Sequence, residues 1–97
     1  MTATPVHVTL ASPVRHSTKV LAQEVGGEAV LLDLGSERYF GLDPVGTRIW
    51  ALLADASDLA QVHAALCGEF DAEPSRIEAD LLALVRQLAD AGLVEIG

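Results

Sequence analysis

The stretch KVLAQEVGGEAVLLDLGSERYFGL, residues 19 to 42, decides the fold. It holds three short apolar runs, KVLAQEV, AVLLDL and RYFGL, separated by Gly26-Gly27 and by Gly35-Ser36-Glu37. Short apolar runs joined across Gly26-Gly27 and through Gly35-Ser36 are the signature of a three-stranded antiparallel meander. In the second hairpin, Gly35 suits the first central position of a type II′ turn. That register sets Asp33 opposite Arg38 as a cross-strand ion pair and Leu32 opposite Tyr39, whereas a four-residue loop would shift the pairing by one and reverse the faces.

Beyond Leu42 the hydrophobic period changes from two to 3.6. Asp43 can cap free amides and Pro44 fits the first helical position, where a missing N–H costs nothing. Val45, Ile49, Leu52 and Leu53 then make one apolar stripe. Ser57 is the expected cap of a second helix carrying Leu59, Val62, Leu66 and Phe70 on one face. Pro74 and a capping box, Ser75 to Glu78, are expected to open a third, with the stripe Ile77, Leu81, Leu84, Val85 and Leu88. Ala91-Gly92 ends it, and Leu93 to Ile96 can close the domain as an extended segment. Before the meander, residues 1 to 18 read as a tail able to add one strand, with Val6 to Leu10 its only alternating piece.

The fold class expected is therefore α+β: a winged-helix-like domain in which a three-stranded antiparallel meander precedes three helices. Its 97 residues suit a single core over residues 19 to 97. Apolar residues at 51% and charged residues at 21% are a globular balance.

Charge narrows the function. Fourteen Asp and Glu against six Lys and Arg leave a formal charge of -8, and the six cations are scattered. Nucleic acid and anionic membrane surfaces are therefore disfavoured as partners, since both are bound through clustered positive charge. The N-terminus lacks a secretory pattern and no apolar run could span a bilayer, so the expected location is cytoplasmic. The single Cys67 cannot close an internal disulfide.

No catalytic constellation is present. His7, His16 and His63 are dispersed, and no Walker loop, GxGxxG or nucleophile elbow occurs. His63 and Cys67, one helical turn apart, form half of a metal or thiol site with no third partner, and a surface histidine beside a buried cysteine is the plainer reading. Neither cofactor nor metal is expected, and the chain reads as non-enzymatic. What remains is a recognition surface. Strand alternation sends one ring of Tyr39-Phe40 inward and the other outward, and Trp50 either fills the core or shares an aromatic cluster with them.

At GSERYFGLDPVGTRIWALL, with GGEAVLLDL before it and DLLALVRQLADAGLVE after, the chain resembles the PqqD-like family, also called RiPP recognition elements. The resemblance covers residues 19 to 96 and is carried by Tyr39, Phe40, Leu42, Asp43, Gly46, Ile49, Trp50, Leu52 and Leu53 in order. It implies a domain that binds the leader of a ribosomally made precursor peptide, as in PQQ and lasso peptide pathways. Such a domain delivers its leader to a maturation enzyme such as a leader peptidase or a radical SAM enzyme. The leader is implied to add to the third meander strand, here Arg38, Tyr39, Phe40, Gly41 and Leu42, beside the third helix. On that helix Arg76, Asp80, Leu84 and Gln87 share the flank that could border the groove. The longer N-terminal segment departs from the family pattern and could itself occupy or shape that edge. A winged-helix DNA-binding regulator is the competing reading; element order favours it, and charge opposes it, because the third helix sets Glu78, Asp80 and Asp90 against Arg76 and Arg86.

Overall fold

The computed structural model describes residues 8 to 96. Strands β2 (Val20–Val25), β3 (Glu28–Asp33) and β4 (Arg38–Gly41) form the meander, in the order β2-β3-β4. Helices α1 (Pro44–Leu53), α2 (Leu59–Glu69) and α3 (Pro74–Asp90) follow. A second, two-stranded ribbon joins β1 (Val14–His16) to β5 (Val94–Ile96).

Both hairpins keep the expected pairing, but only the first does so with a two-residue turn. Val25 pairs with Glu28 across Gly26 and Gly27, whose φ angles of 62° and 84° are those of a type I′ turn. Gly27→Ala is expected to cost about 1 kcal/mol, since the left-handed region penalises a Cβ even in open space. A lowered urea midpoint with unchanged slope is the readout.

In the second hairpin Asp33 does pair with Arg38 and Leu32 with Tyr39. The type II′ turn is absent: the left-handed residue is Glu37, at φ 58°, and Leu34 to Glu37 form a four-residue loop that, against expectation, leaves the pairing unshifted and the faces unreversed. Nor do Asp33 and Arg38 form an ion pair. The Asp33 carboxylate instead accepts from the Gly35 N–H and the Ser36 hydroxyl, each at 2.9 Å, and the hydroxyl first, then the amide, hold its pKa below the ordinary value.

Helix starts follow local donor geometry. Asp43 caps α1 by accepting from the Gly46 N–H at 2.7 Å, as its position before Pro44 implies. The cap of α2 is Asp58 rather than Ser57. Its carboxylate accepts from the Gln61 N–H, while the Gln61 side chain reaches back to the Ser57 N–H. The Ser75 capping box does not form, because α3 begins at Pro74 and Ser75 already lies inside the first turn; Glu73 precedes it without a side-chain cap. At the far end, Gly92 adopts φ 76°, with Leu93 N–H bonded to Leu88 O and Gly92 N–H to Ala89 O, a Schellman stop.

The core joins Ala29, Leu31 and Leu42 from the meander to Ile49, Trp50 and Leu53 of α1, Leu59, Val62 and Leu66 of α2, and Ile77, Leu81, Val85 and Leu88 of α3. Two expected stripe members turn outward: Val45 is exposed, its place in the buried face taken by Gly46 and Trp50, and Phe70 lies just past the end of α2. Trp50 joins no cluster with Tyr39 and Phe40. It stacks on His16, with ring centroids 3.6 Å apart and planes 5° from parallel.

Residues 8 to 18 are built into this body. Val8 and Val14 are buried, and Leu10 and Ser12 carbonyls accept from Ala60 and Leu59 at the start of α2. Of the alternating piece Val6 to Leu10, Val6 and His7 lie outside the described residues, and Val8 to Leu10 form no strand. The strand that does form in this segment, β1, lies on β5 and not on the border of the meander.

Candidate functional site

Because β1 pairs with β5, β4 has a neighbour on one side only among the described residues. Its ladder phase follows from one bond. Leu42 N–H donates to Ala29 O at 2.8 Å, so alternation turns the main-chain groups of Phe40 and Arg38 toward β3 as well. Tyr39 and Gly41 must then direct their N–H and C=O groups to the open side. Leu42 itself is buried in the core and its N–H is engaged with β3.

Alternation also sorts the side chains. Phe40 turns inward and packs against the core, while Tyr39 is 73% exposed. A cleft of about 480 Å³ lies beside β4, lined by Asp33, Ser36, Arg38, Tyr39 and Phe40 on one side and by Asp90, Ala91 and Leu93 on the other. The beginning of β4 thus faces the C-terminal end of α3. A second hollow, about 140 Å³ and almost wholly apolar, is lined by Val45, Ile49, Leu66, Phe70, Ala72, Ile77, Asp80 and Leu81. It lies between α1, the end of α2 and the N-terminal half of α3, with no residue of β4 in its wall.

The two hollows bracket one flank of α3. Ala91 stands four residues after Gln87 and seven after Leu84, which is itself four after Asp80, so these positions fall on one side of the helix. Asp80 borders the apolar hollow and Ala91 the cleft. Leu84 is half-buried between them, and Gln87 is exposed one turn before the cleft. Arg76 is exposed in the first turn and lines neither hollow. Asp33, Ser36, Asp90 and Ala91 were not foreseen. Asp90 and Ala91 continue the Asp80-Leu84-Gln87 spacing and could have been read by extending it, whereas Asp33 and Ser36 arrive through the loop.

The open edge of β2 offers no comparable site. Leu21 to Val25 are exposed at every position, and none of them lines either of these hollows. A third hollow, about 310 Å³, lies between the β1–β5 ribbon and the loop joining α1 to α2.

The remaining polar contacts are structural. Arg48 grips Glu69 through two bonds of 2.7 and 2.8 Å, tying α1 to the end of α2, and this contact lowers the Glu69 pKa. His63 Nε2 lies 2.8 Å from Pro74 O, which can only accept, so that nitrogen carries the proton and ties α2 to the start of α3. Cys67 Sγ lies 3.5 Å from the same nitrogen. A nitrogen already donating is not a base for the thiol. Among the described residues no group of three or more His, Cys, Asp or Glu is placed to hold a metal ion, and no helix is long and apolar enough to cross a membrane.

The family model described as coenzyme PQQ synthesis protein D (PqqD) matches residues 28–94, more than half of the chain. This chain belongs to the PqqD family. The matched span includes β3, β4 and all three helices, and hence both hollows of the candidate groove. Two solved structures resemble this PqqD-family chain. TbiB1 in complex with the TbiA(beta) leader peptide is 37% identical, with a TM-score of 0.79, over 84% of this chain and 94% of that one. Lasso peptide synthetase B1 complexed with the leader peptide is 28% identical, with a TM-score of 0.77, over 86% of this chain and 98% of that one. The α+β architecture is thus shared across nearly the full length of both. No curated protein matches the sequence.

Proposed function

We propose that this chain captures the leader segment of a ribosomally synthesised precursor peptide as a fourth strand on β4 and delivers it to a modifying enzyme or leader peptidase. The observation that carries the reading is an unpaired strand edge lying beside a helix-walled cleft, in a chain similar to two leader-peptide complexes. Nothing favours the DNA-binding alternative, which the charge of -8 opposes. In this role the protein is an adaptor, working in the cytoplasm where precursors are made, and not a catalyst.

The energetics divide the labour between edge and groove. Each main-chain bond adds about 0.5–1.5 kcal/mol net, against an association cost of about 4–15 kcal/mol. Tyr39 and Gly41 offer at most four such groups, so side chains must supply the rest. An apolar leader side chain buried in the cleft near Phe40, or in the hollow beside Val45, would contribute about 1.5–3 kcal/mol and fix the register. In this reading Arg38, Tyr39, Phe40 and Gly41 form one wall and Asp80, Leu84, Gln87 and Ala91 the other, while Arg76 stands outside.

Titrating a fluorescein-labelled leader peptide and following anisotropy tests the reading; no saturable binding at micromolar protein rejects it. Asp80 gives a finer test. Its carboxylate lies on the rim of an otherwise apolar hollow and so favours a leader carrying a basic residue next to its apolar anchor. Asp80→Lys is expected to weaken such a leader about tenfold at low salt, with the difference shrinking at high salt. Equal, salt-independent affinities would remove Asp80 from the site.

A further inference from the structure

Gly41 is a glycine that the fold does not require. It stands in β4 opposite Val30 of β3, its φ lies outside the left-handed region, and apart from its chain neighbours a Cβ built on it meets no atom within 4 Å. A side chain there would raise strand propensity and restrict the unfolded chain, so glycine costs stability with no conformational return. Glycine within a strand otherwise marks a bulge or a close approach by a ligand or another backbone. No bulge is present, because Val30–Gly41 pairs in step with Leu31–Phe40 and the ladder continues through Leu42 N–H to Ala29 O.

The missing side chain leaves a notch at the open edge of β4. Val30 is its neighbour in the cross-strand row and Tyr39 stands beside it on the same face, the side of the meander away from the buried Ala29 and Leu31. Val30 is 38% exposed at this gap. Continuity with the edge says what enters. A strand added to β4 shares its pleat, so whichever way it runs, the residue beside Gly41 directs its side chain to the face of Val30 and Tyr39. A large side chain there can lie across the bare glycine onto Val30, as cross-strand aromatic residues cover edge glycines in sheets. The residue beside Tyr39 has no such room, since a ring already fills that place in the row. Glu28, two residues from Val30 on the same face of β3, disfavours an acidic side chain in the notch.

We infer that Gly41 is a specificity-determining residue: its missing side chain selects leaders that carry one large apolar residue, aromatic or long aliphatic, at the register position beside it. The inference rests on the leader-capture reading and deepens it. Main-chain bonds alone cannot fix register, because a slip of two residues restores them. With the notch, a slip of two sets the large side chain against Tyr39, and a slip of one sends it to the opposite face.

The test titrates the full chain into a fluorescein-labelled synthetic leader and its single-alanine variants. In the parent, alanine at one large apolar leader position is expected to weaken binding about tenfold. Gly41→Leu fills the notch. It should bind the unsubstituted leader about tenfold more weakly and lose no more than about twofold further on that one alanine substitution, while the costs at all other leader positions stay as in the parent. Gly41→Thr serves if the leucine variant does not fold, with the same selective loss expected. A folded variant that binds the unsubstituted leader as tightly as the parent overturns the inference. So does weakening spread evenly over every leader variant, for bulk at Gly41 then disturbs the edge without reading a side chain, and so does a coupled leader position that is small or charged. Failure of the parent to bind leader at all removes the capture reading first, and this inference with it.

Discussion

Tyr39→Pro and Gly41→Pro are each expected to weaken leader binding about 10- to 100-fold, and together to abolish it, while far-UV circular dichroism shows the parent fold. Both N–H groups point away from β3, because Leu42, Phe40 and Arg38 make the ladder bonds. Proline at either position therefore removes nothing the free protein uses, and each preceding residue is already extended, as proline requires. In the complex each substitution deletes a donor and leaves a leader carbonyl facing a pyrrolidine ring. An unsatisfied buried acceptor costs about 1–3 kcal/mol, and 1.4 kcal/mol is tenfold in affinity. Gly41→Ala separates this effect from side-chain bulk, because its added methyl meets no neighbour and affinity should hold. Phe40→Pro is the opposite control: it removes a β3 bond and an inward ring, and should unfold the domain. Unchanged leader affinity in the Tyr39→Pro/Gly41→Pro double variant would mean that the leader does not enter as a strand.

The case for that edge was legible in the sequence to the extent that its signals were local. The Gly26-Gly27 and Gly35-Ser36 breaks and the alternating apolar runs delivered the meander and the Leu32–Tyr39 register, and the change to a 3.6-residue period delivered three helices. Where two residues could each do one job, local signal failed. Ser57 and Asp58 are both good caps, and the apolar Leu59 that follows Asp58 is the first residue buried against the core, which sets the helix start one residue later than expected. Ser75 has the right chemistry for a capping box and the wrong position, since Pro74 already holds the first helical site. In the second hairpin the Asp33 carboxylate draws in Gly35 and Ser36 and forces the left-handed turn onto Glu37, a residue type that gives no warning of it.

Long-range pairing was the other blind spot. Val14–His16 and Val94–Ile96 are three-residue strands from opposite ends of the chain, too short for a periodic signal. Their pairing bears on the candidate site all the same, because β1, laid on β5, does not lie on β4. On α3 the flank Asp80-Leu84-Gln87 followed from helical spacing, whereas its division into an apolar hollow by Asp80 and a mixed cleft by Ala91 depends on where α1, α2 and β4 pass alongside. That placement is tertiary information.

Trp50→Ala tests how firmly the ribbon is held, and is expected to cost about 3–5 kcal/mol, out of a total stability of about 5–15 kcal/mol for a domain of this size. Trp50 is 7% exposed and stacks face to face on the imidazole of His16. Its carbonyl is also engaged: at the end of α1 the Ala54 N–H turns to Ala51 O, and His16 Nε2 supplies the donor for Trp50 O at 2.8 Å. Alanine keeps that carbonyl but removes the ring against which the imidazole is positioned, leaving a cavity between α1 and β1. Urea unfolding should show the midpoint falling with little change of slope, and Trp50→Phe should recover part of the loss by restoring a stacking face. His16→Ala should lose less alone, and the double variant less than the sum of the two, since ring and imidazole interact directly. A Trp50→Ala loss below about 1 kcal/mol, or strict additivity, would mean that β1 is held by its pairing with β5 and not by the aromatic contact. Leader affinity measured under folding conditions should stay near the parent value, because Trp50 and His16 line neither the cleft nor the apolar hollow.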